Sequence, residues 1–158
     1  MNENNQLPLR IGVGVVLLNH ENNIFVGKRI DNPKNFWQLP QGGVNQNEHF
    51  LKAAKRELKE ETGIKSVEVI KKLDGWFQYN LPKNLLGKIW KGKYKGQKQK
   101  WFIMKFTGKN NEINVKTKNP EFLEWKWVKS SKLPDVAVNF KVDLYKRLKK
   151  ELNFLNLN

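Results

Sequence analysis

Apolar residues in this chain fall in short runs that alternate more often than they follow a helical period. The first, "IGVGVVLL" from Ile11 to Leu18, is continuous and rich in valine, which predicts a buried strand. The turn-forming "NHENN" then predicts a hairpin, with "NIFVGKR" as the partner strand. A loop over 30–36 leads to "WQLPQGG", a short extended piece ending in two glycines. "SVEVIKKLDGWFQYNL" alternates well enough for one long strand or two short ones, "KQKWFIMKFTG" reads as a strong strand, and "FLEWKWV" puts Trp125 and Trp127 on one side as core residues. Between them "LPKNLLGKIWKGKYKGQ" is a loop punctuated by glycine and lysine. Helical spacing occurs twice: just after the double glycine, and from Asn139 onward, where Phe140, Leu144, Leu148 and Leu152 form an amphipathic stripe. Strands dominate, with one helix inside the series and one at the end, so the expected class is a mixed α/β fold in which helices cover a sheet. No repeat or linker divides the chain. One domain over 8–152 is expected, with flexible termini at 1–7 and 153–158.

The internal helix is framed from about 48 to 62, with Asn47 as N-cap and Gly63 as the residue after its end. At 100° per residue, Lys52, Lys55 and Lys59 share a solvent face, while Leu51, Ala54 and Leu58 share a core face. Glu57, Glu60 and Glu61 make a third group, above the small Ala53. Their placement is adverse. Glu57 and Glu61 are like charges one turn apart, costing about 0.2–0.5 kcal/mol. The helix C-terminus disfavours anions by about 0.3–1 kcal/mol more. Pairing Glu60 with Arg56 relieves only one of the three. A divalent cation relieves all of them, and oxygen ligands on a rigid helix suit Mg²⁺ or Mn²⁺.

Charge adds to this picture. The chain has 158 residues and a net charge of +15, which favours polyanionic partners. The excess of lysine and asparagine is also what AT-rich coding would impose on any protein. Distribution is more telling than total: 75–111 holds nine lysines and no acidic residue, several beside Trp90, Tyr94 and Trp101. Basic residues with aromatics interleaved suit single-stranded nucleic acid, although a solvated basic loop reads the same way. There are no cysteines, which excludes disulfides and thiolate metal sites and fits a reducing compartment. The polar "MNENNQLPLR" and the eight-residue first apolar run suit neither a signal peptide nor a membrane span, so the expected location is the cytoplasm.

The stretch "GGVNQNEHFLKAAKRELKEETGI" resembles the Nudix signature G-x5-E-x7-R-E-U-x-E-E-x-G-U, where U is aliphatic. Every specified position is filled, by Gly42, Glu48, Arg56, Glu57, Leu58, Glu60, Glu61, Gly63 and Ile64. Around it, "FWQLPQGG", "YNLPK", "GQKQKWF", "PEFLEWKWV" and "VNFKVDLYKRL" are similar to the bacterial RNA 5′-pyrophosphohydrolases, also described as dinucleoside polyphosphate hydrolases. The likeness spans roughly Arg10 to Leu152. Leu9 departs from it, standing where an aromatic is often found.

The resemblance implies a mixed sheet between helices and a Mg²⁺-dependent hydrolase of phosphoanhydride bonds, with Mn²⁺ or another divalent cation as substitute. It implies Glu57, Glu60 and Glu61 as metal ligands, joined by Glu121 of "PEF". Either Glu121 or Glu57 would be the base that activates water. Arg56 would orient a carboxylate, Gly42 and Gly43 would let backbone approach metal or phosphate, and Glu48 would orient the loop at the helix start. Arg10, Lys28 and Arg29 would meet phosphates or RNA backbone, and Arg29, Val138 and Phe140 would clamp the first RNA bases. Gln38, Lys98 and Lys100 are further expected substrate contacts. Val138, Phe140 and Trp37 also read as core residues, while His20, His49, Asp74 and Asp143 receive no role in chemistry. The implied reaction removes pyrophosphate from 5′-triphosphorylated RNA, leaving a monophosphate and starting decay. The alternatives are a dinucleoside tetra- or pentaphosphate hydrolase, a sanitiser of free nucleoside triphosphates, and a non-catalytic RNA-binding module, the last opposed by the intact glutamate trio. A monomer is expected.

Overall fold

The structure, a computed structural model, describes residues 6–31 and 34–158. Residues 1–5 of the expected flexible N-terminus lie outside them. The first apolar run forms β1 (Leu9–Leu18), which is buried on both faces from Gly12 onward. Val13, Val15 and Leu17 enter one apolar cluster while Val16 and Leu18 enter the other, as the two-residue period of a strand requires. Its hairpin partner β2 (Ile24–Arg29) meets it only at Leu18↔Ile24. Beyond that register the two strands part. The segment 38–43 fills the gap: Gln38 bridges to Gly27 of β2, and β3 (Gln41–Gly43) pairs with Gly12–Gly14 of β1. This divergence opens the cavity described below.

The stretch that read as one or two strands is two, β4 (Val67–Lys72) and β5 (Phe77–Asn80). Both pair antiparallel with β6 (Gly96–Phe106), which runs parallel to β1 from Leu9↔Gly96 to Leu18↔Lys105. The last strand, β7 (Phe122–Val128), pairs with β2, giving the path β4-β6-β1-β2-β7. Helices cover both faces of this mixed sheet. α1 (Phe50–Thr62) packs Ala53, Ala54 and Leu58 against Phe102 and Met104. On the other face, the short α2 (Leu133–Val136) and α3 (Val142–Phe154) pack Leu133, Leu144, Leu148 and Leu152 against Val16, Trp101 and Ile103. Each of these leucines contributes about 1.5–3 kcal/mol by burial. Trp125 and Trp127 pack beside Phe25, as the alternation predicted.

Several local expectations need correction. α1 begins at Phe50, not Glu48, with His49 rather than Asn47 in the cap position and no side-chain cap bond. Asn47 instead has a left-handed backbone (φ 63°), and Glu48 stays in the preceding loop because Arg56 and the Asn45 N–H bind its carboxylate. Starting there, the helix turns Leu51 outward to 37% exposure, and Phe50 takes the first position of the apolar stripe. Phe140 is not on the stripe of α3: it sits in a 3₁₀ turn (Asn139–Lys141) ahead of the helix. At the other end, the expected boundary at Leu152 falls inside α3, and Leu155 and Leu157 pack on the core beyond it.

Candidate active site

Where β1 and β2 diverge lies a cavity of about 580 Å³, a size suited to a small-molecule or nucleotide ligand. α1 runs beneath β3 and delivers Glu57 to its floor. Gly42 makes this possible, since a Cβ there would overlap the Glu57 carboxylate, and a Cβ at Gly43 would overlap the guanidinium of Arg10. The double glycine is thus a close-approach device.

Arg56 organises the acidic floor. Its Nε and Nη2 donate to Glu48 at 2.8 and 2.9 Å, Nη1 donates to Glu57 at 2.9 Å and to Glu60 at 3.2 Å, and Nη2 also reaches the Gly43 carbonyl at 2.8 Å. One guanidinium therefore ties three glutamates to the glycine loop, the bidentate geometry that Arg provides and Lys does not. It holds the Glu48 carboxyl down to about 2, helped by the Asn45 N–H. Glu57 moves the other way: burial raises its pKa against the pull of Arg56, and the Glu60 and Glu121 carboxylates add to the rise.

Glu61 is only 2% exposed, and neither of its carboxylate oxygens has a well-formed hydrogen bond among the described residues, although the Gln41 backbone N–H acts to lower its pKa. Burial pushes its pKa well up, with Glu121 and then Glu57 contributing as like charges. An unpartnered buried carboxylate is expensive unless it is protonated or meets a cation. Glu61, Glu57 and Glu121 therefore fit a divalent cation in chemistry and in charge. The fit is one of charge and donor type: among the described residues no group of three acidic or histidine side chains is placed to hold an ion by itself.

The walls carry cations. Arg10 lies over the ring of Trp90 at 5.3 Å and makes no ion pair among the described residues. Arg29 is tied to Asp31 by two bonds of 2.7 and 2.6 Å, which raise its pKa and lower that of Asp31. Lys141 is buried, donates to Gln38 Oε1 at 2.7 Å, and has its pKa lowered to about 7 by burial and then by Arg29. Beneath them runs a buried polar chain. Trp101 Nε1 donates to Gln99, Gln99 to Gln41, Gln41 to the Tyr79 hydroxyl, and that hydroxyl to Gln97.

Of the residues singled out from sequence, Arg10, Arg29, Gln38, Gly42, Gly43, Glu57, Glu121, Val138 and Phe140 all line this cavity. Glu61 lies behind it. The Glu60 side chain is 58% exposed and held by Arg56, outside the residues that line the cavity. Lys28 is turned to Glu124 at 3.9 Å. Lys98 and Lys100 are not at the cavity: their ammonium groups lie 4.8 and 4.3 Å from the ring of Trp76, on the α1 face. The two-residue period of β6 explains this, because it sends Gln97 and Gln99 toward the site and the lysines between them away. Sequence reasoning missed Lys141, Tyr79, Gln41 and Asp31, while Trp90, marked out with the basic stretch, lines the cavity. Lys141 carries no distinguishing signal among so many lysines. The alternation of "GQKQKW", by contrast, did contain the choice of glutamines over lysines.

Comparison with known proteins adds the following. A family model described as NUDIX domain matches residues 8–148. An RNA pyrophosphohydrolase from Pelagibacter ubique is 62% identical over 146 residues, covering 92% of this chain and 92% of that protein. An RNA pyrophosphohydrolase from Orientia tsutsugamushi is 45% identical over 153 residues, covering 97% of this chain and 95% of that one. Among solved structures, the E. coli dihydroneopterin triphosphate pyrophosphohydrolase superposes with a TM-score of 0.71 at 19% identity, over 91% of this chain and 99% of that one. A C. elegans Ap4A hydrolase does so with 0.65 at 20% identity, over 93% and 98%. At such identities the two structures speak for the fold alone.

Proposed function

Because this chain belongs to the Nudix family, we propose that it hydrolyses the 5′-triphosphate end of RNA, releasing pyrophosphate and leaving a 5′-monophosphate. The observation that carries this reading is a single cavity with carboxylates on its floor and Arg10, Arg29 and Lys141 on its walls. It suits a polyanion that must be held while a P–O bond breaks. The 62% identity to an RNA pyrophosphohydrolase across nearly the whole of both chains selects the substrate class. The reaction takes place in the cytoplasm, on a monomer. Among the described residues no helix is long and apolar enough to cross a membrane.

Glu57, Glu61 and Glu121 would hold Mg²⁺, with Glu60, which shares Arg56 with Glu57, as a further ligand. Bound there, the ion would lower the pKa of water and neutralise phosphate charge. Arg56 keeps Glu57 and Glu60 oriented. Arg10, which pairs with no carboxylate among the described residues, presents its N–H groups to phosphate oxygens, and Lys141 approaches from the opposite wall. Gln38 fixes Lys141 through their hydrogen bond. We assign the base to Glu121: it stands on the open wall, whereas Glu57 is engaged by Arg56. Glu121 accepts the proton of the attacking water, the water oxygen bonds to phosphorus, and the anhydride P–O bond breaks with its electrons leaving on pyrophosphate.

The direct test compares kcat/KM for a 5′-triphosphorylated oligoribonucleotide and for diadenosine tetraphosphate, with Mg²⁺ and with chelator. A much larger value on RNA, abolished by chelator, is expected. Preference for the dinucleotide would overturn the RNA assignment while keeping the metal-dependent chemistry.

A further inference from the structure

The cavity has a second end that the phosphate chemistry does not use. Away from the carboxylates its wall is apolar, built from Leu81, Leu85, Ile89 and Trp90, with the rings of Tyr79 and Phe140 nearby. Leu85 and Ile89 pack into the core beneath α3, so this wall is anchored to the body of the protein. Trp90 itself is only half-buried, and its ring borders both the cavity and the Arg10 guanidinium. The backbone there is strained: Trp90 and Lys91 both adopt left-handed angles (φ 50° and 56°), a state unfavourable for side chains with a Cβ. Such outliers gather where a side chain must be aimed at a ligand. Here the strain turns a large flat ring toward the cavity, within reach of the phosphate-facing Arg10.

We propose that Trp90 forms a subsite for the nucleobase of the 5′-terminal nucleotide, stacking it at the apolar end while the triphosphate it carries is held by Arg10 and Lys141. The ligand class is a flat aromatic base one sugar away from a 5′-polyphosphate. Its identity as RNA rests on the function proposed above. Trp90 is a different ring from Phe140 of the expected Arg29–Val138–Phe140 clamp, and both border the cavity, which therefore offers two stacking surfaces for successive bases. Because Arg10 is packed against both Trp90 and Gly43, seating a base on the ring also fixes the guanidinium that meets the phosphates.

The test uses three triphosphorylated oligoribonucleotides: one complete, one abasic at the first nucleotide and one abasic at the second. The wild type is expected to favour the complete RNA over the first-position abasic RNA by about fivefold or more in kcat/KM, the effect of stacking one base on an aromatic ring. Trp90→Ala should erase that ratio and leave the second-position ratio unchanged, while Trp90→Phe should keep both. A wild-type ratio near one, a first-position ratio that survives Trp90→Ala, or equal loss on all three RNAs would overturn the subsite. If the wild type hydrolyses none of them, the RNA reading has failed, and fluorescence titration with ATP and with inorganic tripolyphosphate decides the subsite. A preference for ATP that Trp90→Ala abolishes sustains it, and any other result removes it.

Discussion

Three tryptophans among the described residues, Trp37, Trp76 and Trp90, have cations over their rings, and the last two make the sharper contrast. Arg10 lies 5.3 Å from the ring of Trp90, and Lys98 and Lys100 lie 4.8 and 4.3 Å from that of Trp76. By sequence the two neighbourhoods look alike, both belonging to the basic, aromatic-bearing part of the chain. Their surroundings differ. Trp90 borders a cavity whose floor is carboxylate, whereas Trp76 is 38% exposed on the α1 face, with its edge toward Phe50. Lys100 also donates to the Gly75 carbonyl at 3.2 Å, so part of its hydrogen-bonding capacity is already used. A cation over a ring is worth little in open water and more when water is excluded. Charge and aromaticity alone therefore mark a surface, and enclosure decides whether it can do chemistry.

The sharpest way to break this contrast is to remove the proposed base. Glu121→Gln is expected to lower kcat by about 10²–10⁴-fold, with an unchanged far-ultraviolet circular dichroism spectrum. Retained turnover would pass the role of base to Glu57. A smaller effect separates the two basic regions. Arg10→Ala should reduce kcat/KM by about tenfold, as expected for losing charge-assisted bonds to phosphate. The pair Lys98→Ala with Lys100→Ala should cost only about twofold, and the loss should vanish at higher salt. Equal losses from both would show that the outer lysines bind substrate after all.

The subtlest prediction concerns Lys141. Its folded pKa of about 7 lies below the usual value of 10.5, so the unfolded chain binds the extra proton between these limits. Stability therefore rises with pH across that window, and the penalty of burying the ammonium is complete below about pH 7. Lys141→Met should raise Tm near pH 7, with the gain shrinking as pH approaches 10.5, even though turnover falls. A Tm difference that does not depend on pH would mean that Lys141 stays charged in the folded protein.

Much of this protein was legible in its residues, because the relevant signals are local. The valine-rich run became β1, the alternating "FLEWKWV" became β7, and the spacing of Leu144, Leu148 and Leu152 became the buried face of α3. The adverse crowding of Glu57, Glu60 and Glu61 picked out the helix that brings Glu57 to the cavity, and the signature around it assigned the family. What failed did so where one contact outweighed local preference. Arg56 holds Glu48 in the loop and delays the helix to Phe50. The 3₁₀ turn at Asn139–Lys141 lifts Phe140 off the stripe of α3 and places it at the cavity.

The sequence by itself determined the strands and helices, the carboxylates and the glycine pair beside them, since each depends on neighbours within a few residues. Tertiary structure alone decided which cations face those carboxylates. Arg10, Arg29 and Lys141 lie far apart along the chain and meet only because β1 and β2 diverge and 38–43 fills the gap between them. Burial then divides otherwise similar side chains, lowering the pKa of Lys141 inside the cavity while Lys98 and Lys100, on the other face of β6, remain beside Trp76. Desolvation depends on everything packed around a group, and no stretch of sequence carries that information.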